Sequence, residues 1–144
     1  MLKNESDADV VYCEYKKFIN ECVFDKINKF DVVIYNGEDI FSNPNLSFYI
    51  VWNKIIRKNL LDNHRFDTNI KNAEDSLFAF DLLTKCNKVV YIKHQMYGYF
   101  IRQSGASSSI DIAGKNIVQV WKYILETSIS NGYNIAEKTA KNFC

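Results

Sequence analysis

"KVVYIKHQMYGYFIRQ", Lys88 to Gln103, offers two strands, Val89 to Lys93 and Met96 to Arg102, broken around His94-Gln95. Two earlier stretches share its β-branched and aromatic make-up. "ADVVYCEY", Ala8 to Tyr15, reads as a buried or half-buried strand between charged flanks. In "KFDVVIYNGEDIF" the run Val32 to Tyr35 is strand-like, and Asn36-Gly37 makes a turn.

The segments between these strands carry turn and helix signals. "SNPN", Ser42 to Asn45, holds the single proline and marks a loop. In "LSFYIVWNKIIRKNLLDNH" apolar residues are too dense for a clean period. A strand or buried segment is expected from Tyr49 to Ile56, with a short helix from Asn59 to Asn63. In "KNAEDSLFAF", Lys71 to Phe80, Asn72 can cap a helix with Asp75 reaching back to it, while Ala73, Leu77 and Phe80 recur at helical spacing. That helix should end near Asn87. "SGASSSIDIAG" is a polar loop of small residues. Ile117, Trp121, Ile124, Leu125 and Ile129 then form one stripe of a helix closed by Gly132, and Asn134 with Glu137 forms a capping box for a last helix. The fold class expected is therefore α/β: a small mixed β-sheet flanked by helices, with a C-terminal helical segment.

A chain of 144 residues with 47% hydrophobic and 15% aromatic residues is one globular domain's worth of material. Its net charge of +1 gives no overall basic field to recruit nucleic acid or an anionic membrane, and "YKKF" at Tyr15 to Phe18 reads as a solvated edge. No uncharged run approaches the roughly 18 residues of a spanning helix, and the acidic start "MLKNESDADVV" is unlike a signal peptide. A soluble, cytoplasmic protein is expected. Cys13, Cys22, Cys86 and Cys144 show neither CxxC spacing nor a zinc pattern with His64 or His94, so free thiols are expected.

The order "ADVVYCEY", "VWNKIIRKNLL", "RF", "NAEDSLF", "KVVYI" and "MYGYFIRQSGASSS" resembles the C-terminal half of family 2 glycosyltransferases, inverting enzymes with the GT-A fold. The resemblance assigns residues 1–111 to the acceptor-side half of such a domain and 112–144 to a helical segment packed on it. The family's nucleotide-binding half, a Rossmann-like region ending in a metal-binding DxD, has no counterpart here. "DAD" at Asp7 to Asp9 precedes its strand instead of following one, which assigns it to a turn.

The implied activity is transfer of a sugar from a nucleotide-sugar donor to a glycan or lipid-linked acceptor. A carboxylate must take the acceptor's hydroxyl proton as the new bond forms. By resemblance Asp75 is that base, with Glu74 beside it; the competing reading makes both the charged first turn of a helix. "GEDIF", Gly37 to Phe41, repeats the dipeptide and is expected only to cap. Arg102 could approach the leaving diphosphate, Ser107 lies on a loop that borders the family's active site, and Trp52, Asn53 and Lys54 could line the acceptor side. Core packing is the alternative for Trp52, and Tyr97 and Tyr99, which alternate to one face of their strand, are expected to pack. His64 is expected at the surface and His94 is a candidate ligand at the strand break. A divalent metal, Mg or Mn, is expected for the complete enzyme, held mainly by the absent half, so the chain alone is expected to be inactive. The resemblance places the protein in the cytoplasm or against the inner face of the membrane, with self-association through an exposed sheet edge. The rival reading is a non-catalytic sugar- or protein-binding module derived from a glycosyltransferase.

Overall fold

The β-rich stretches join one sheet, and the segment from Lys88 onward is its spine. A computed structural model of the chain describes residues 7–43, 48–102 and 114–142. The strands are β1 (Val10–Phe18), β2 (Val32–Asn36), β3 (Lys54–Ile56) and β4 (Lys88–Phe100), in the order β2-β4-β1-β3. β1 and β4 run parallel at the centre, while β2 and β3 are antiparallel edges. The mixed α/β character expected from the sequence is present. In the central parallel pair Val10, Tyr12 and Val89 to Ile92 are buried and Val11 is partly so, in keeping with the apolar runs "VVY" and "VVYI".

β4 is unbroken, which corrects the expected pair of strands. The irregularity lies where the break was expected, as a bulged stretch: Ile92 pairs with Cys13, Gln95 with Glu14 and Tyr97 with Tyr15, leaving Lys93, His94 and Met96 as extra residues. The approach to β2 uses the freed groups. The Lys93 N–H donates to the Asp31 carbonyl at 2.9 Å, and the Asp31 N–H donates to His94 Nε2 at 2.9 Å. His94 is thus engaged as a backbone acceptor.

Side-chain alternation gives the sheet two unlike faces. Val10, Tyr12, Val89 and Tyr91 share one face and pack into the main core with the helices α1 (Glu74–Leu83), α2 (Gly114–Asn131) and α3 (Asn134–Ala140). Phe41, Phe48, Phe80, Val120, Trp121 and Ile124 complete that core. Val11, Val90, Ile34 and Ile55 are aligned across the other face by the registers of the three ladders.

Several local expectations change. The strand at Tyr49–Ile56 contracts to Lys54–Ile56, the helix at Asn59–Asn63 is a 3-10 turn over Lys58–Leu61, and "GEDIF" opens a 3-10 turn over Gly37–Ser42. Asn72 does not cap α1; the cap position is Ala73, left-handed at φ 66°, with no side-chain cap bond. The capping box at α3 is likewise unmade: Tyr133 is the cap residue, and Glu137 pairs with Lys141 at 2.5 Å. Gly132 adopts the left-handed conformation expected of it, φ 71°.

His64 is buried at 8% exposure, contrary to expectation, because Phe78 offers it both a ring at 4.4 Å and a carbonyl. Its Nε2 is 2.9 Å from the Phe78 oxygen, and Lys85 Nζ donates to its Nδ1 at 3.2 Å, a pattern that assigns the neutral Nε2–H tautomer. Cys13, Cys22 and Cys86 are free thiols; Cys144, Pro44 and the "SGASSS" loop lie outside the described residues. Among the described residues no helix is long and apolar enough to cross a membrane.

Candidate functional site

The segment leading into β3 is a tight turn, in which the Lys54 N–H donates to the Val51 carbonyl at 3.3 Å. It is anchored to β1 through Asn53, which is buried. Asn53 Nδ2 donates to the Cys13 carbonyl at 2.8 Å, and the Cys13 N–H donates to the Asn53 carbonyl at 3.2 Å. A buried amide needs such partners, and these fix the orientation of the whole turn. Trp52 is thereby laid over β4: its ring stacks on Tyr97 at 4.7 Å and Tyr99 at 5.0 Å, and Tyr15 meets it edge-on at 4.8 Å.

Beside this aromatic cluster lies a cleft of about 230 Å³. Val11, Cys13, Ile55, Ile92 and Met96 give it apolar walls, while Trp52, Asn53, Lys54 and Tyr97 close its polar and aromatic side. Three of the residues expected on the acceptor side, Trp52, Asn53 and Lys54, are therefore brought together. Tyr97 lines the cleft with them, whereas its alternation with Tyr99 in the sequence points to packing.

Lys54 pairs with Tyr12 across the β1–β3 ladder, and its amine lies 5.6 Å from the centre of the Tyr12 ring, on the helix side of the sheet. There it donates to the Ile50 carbonyl at 2.6 Å and to Asn53 Oδ1 at 2.9 Å. Burial pushes the amine's pKa down to about 7, partly opposed by the nearby Cys13 and Asp75.

Asp75 stands in the first turn of α1, which is pinned to the cleft segment where Ser76 Oγ donates to the Tyr49 carbonyl at 3.3 Å. The side chain is half-buried. Burial raises its pKa, Glu74 beside it raises it further, and Lys54 acts in the opposite direction. Glu74 is also half-buried. The two faces of the sheet thus divide the expected site: the cleft walls lie mainly with Val11 and Cys13, with Tyr12 and Lys54 also reaching it, whereas the Lys54 amine and the charge of Asp75 that it feels lie on the Tyr12 side. Lys54 connects them.

Arg102 is exposed, two residues beyond β4, and does not line the cleft. Ser107 lies outside the described residues. For the divalent metal, the acidic groups present do not make a site. Asp9 accepts from the N–H groups of Asn87 at 2.7 Å and Lys88 at 3.2 Å and pairs with Arg57 at 3.5 Å, while Asp7 holds Lys88 Nζ at 2.7 Å. These carboxylates join the start of β1 to β4, and among the described residues no group of three metal-ligating side chains occurs.

Sequence reasoning placed Lys54 at the site but missed the burial of its amine, and it missed the contribution of Cys13 and Met96. A signal for Lys54 exists, since a lysine inside the apolar run "YIVWNKII" is one that the fold must accommodate. No protein-family model matches the chain, and no curated protein matches it.

Proposed function

We propose that this chain is the acceptor-side part of an inverting glycosyltransferase, in which Asp75 is the base. The observation that supports the reading is the setting of Asp75. It is a carboxylate partly withdrawn from water at a helix start, with its proton affinity raised by burial and by Glu74. The aromatic ledge of Trp52 and Tyr97 lies across the sheet from it, with Lys54 between the two. An aromatic face suits the C–H face of a sugar ring, and Asn53 and Lys54 supply the polar edge.

In the proposed step an acceptor hydroxyl oxygen attacks the anomeric carbon of the donor sugar. The bond from that carbon to the diphosphate oxygen breaks on the opposite face, and the hydroxyl proton passes to an Asp75 carboxylate oxygen. The pair of electrons leaves with the nucleoside diphosphate. Lys54 opposes the rise in the pKa of Asp75, so a protonated amine favours the ionised carboxylate that acts as base. The donor and its metal would be held mainly by the nucleotide-binding half of the complete enzyme.

The test is sugar transfer from nucleotide hexoses to oligosaccharide acceptors by the complete enzyme, comparing Asp75→Asn with the parent. Loss of the base should slow turnover by roughly 10²- to 10⁴-fold while acceptor affinity changes little. Near-normal turnover would remove Asp75 from the chemistry.

A second reading has its own support, because the cleft opens on the face of the sheet away from Asp75. A sugar- or protein-binding module would use the Trp52 cleft alone. In that case Asp75→Asn leaves ligand binding intact and no nucleotide sugar is consumed by any form of the protein.

A further inference from the structure

β1 and β4 outrun the rest of the sheet. β3 pairs only with Val10–Tyr12 and β2 only with Lys88–Ile92, so beyond these the parallel pair continues alone as a two-stranded arm. Residues 19–30, which lead from β1 to β2, pass across this arm at Gly98. A Cβ added there would lie 3.0 Å from the Phe18 ring and 3.1 Å from Cys22 Sγ, so the crossing chain fits only because residue 98 lacks a side chain. The Ile101 N–H donates to the Phe18 carbonyl at 2.8 Å and Lys16 Nζ to the Val23 carbonyl at 3.1 Å, holding the crossing segment to the arm.

The arm and its crossing segment expose apolar side chains. Ile19 is 62% exposed and Val23 63%; Phe24, with its ring tip resting over Gly98, is still 42% exposed, and Phe100 at the end of β4 is 48% exposed. Single exposed apolar residues are ordinary, but a group of them on one short arm marks an interaction surface. The same arm gathers charge that the overall +1 conceals. Lys16, Lys17, Lys26, Lys29, Lys93 and Arg102 outnumber Glu14, Glu21 and Asp25 by three, so the remainder of the chain is net negative. Among the described residues, Lys17, Lys26, Lys29 and Arg102 make no ion pair.

We propose that this arm seats the protein on an anionic lipid surface, with Ile19, Val23, Phe24 and Phe100 entering the boundary between headgroups and acyl chains and the lysines meeting lipid phosphates. A second copy is disfavoured because two arms of like charge repel when brought face to face. Nucleic acid would satisfy the lysines but offers no apolar bed for the outward side chains.

The experiment is co-sedimentation of the protein with vesicles of phosphatidylcholine alone and with about one third phosphatidylglycerol, at low and high salt, with sedimentation velocity on lipid-free protein. Binding to the anionic vesicles is expected, at least roughly tenfold stronger than to the neutral ones and weakened by salt. The Ile19→Ser/Val23→Ser double variant should lose roughly tenfold, and Lys26→Glu/Lys29→Glu more than that, because reversal makes each lysine repulsive. All four positions are exposed, and circular dichroism confirms that each variant is folded. No association with anionic vesicles, or undiminished association of both variants, would overturn the proposal. So would a lipid-free dimer that the Ile19→Ser/Val23→Ser variant dissociates, since the occupant would then be a second copy.

Discussion

Lys54 shows how one side chain ties packing to chemistry. Its stem fills space beside Tyr12, its amine is satisfied by Ile50 and Asn53, and its charge is what the site does not readily accept. The folded pKa lies near 7 against an ordinary 10.5, so between these values the unfolded chain holds a proton that the folded chain has released. Stability must therefore rise with pH across that window, by up to about 1.4 kcal/mol per pH unit from this group, with the charge penalty complete below it. Chemical denaturation of the parent and of Lys54→Met from pH 6 to pH 10 checks this. The parent should gain stability relative to the variant as pH rises, and parallel curves would mean that the amine titrates normally. Asp75 has the opposite sign. Its folded pKa is raised, so its contribution is fully present below the ordinary carboxylate range and is lost as pH rises through its folded value.

At the level of elements, the start of α1 is held by tertiary contacts in place of a local cap. The cap residue Ala73 sits at φ 66°, where a Cβ is strained, and no side chain satisfies the first turn. Ala73→Gly should therefore stabilise the fold by about 1 kcal/mol, raising the melting temperature by roughly 2–4 °C, measurable by calorimetry. A lower melting temperature would show that the alanine methyl, which packs against the core, outweighs the strain.

The sequence made the strands legible because their apolar runs are long and β-branched, and Gly132 was legible because the left-handed conformation favours glycine. The continuity of β4 was not. His94-Gln95 interrupts the apolar pattern, but bulging absorbs the extra residues Lys93, His94 and Met96, and the pairing resumes beyond them. Burial of His64 was also hidden, since it depends on Phe78 and Lys85, both distant in sequence. For the site, the grouping of Trp52, Asn53 and Lys54 followed from adjacency. Their separation from Asp75 by a sheet face depends on the pairing of Lys54 with Tyr12, which adjacency does not reveal.

In the whole molecule, the helices are gathered on one face of the sheet and the cleft opens on the other. Val120, Trp121 and Ile124 of α2 share a core with Phe48 and Phe80, so the C-terminal helices support the same face that positions Asp75. The cleft side is left accessible to a ligand, and the long β1–β4 arm carries the exposed aromatic and basic residues. The central claim is that a sugar acceptor lies against Trp52 with its reacting hydroxyl directed toward the Lys54–Asp75 connection. Its most direct test is an NMR titration of the labelled protein with acceptor oligosaccharides. The account predicts saturable shifts at the Trp52 indole N–H, the Asn53 side-chain amide and the Lys54 amine, absent in Trp52→Ala. Oligosaccharides that perturb none of these groups, or only residues of α2 and α3, would contradict it.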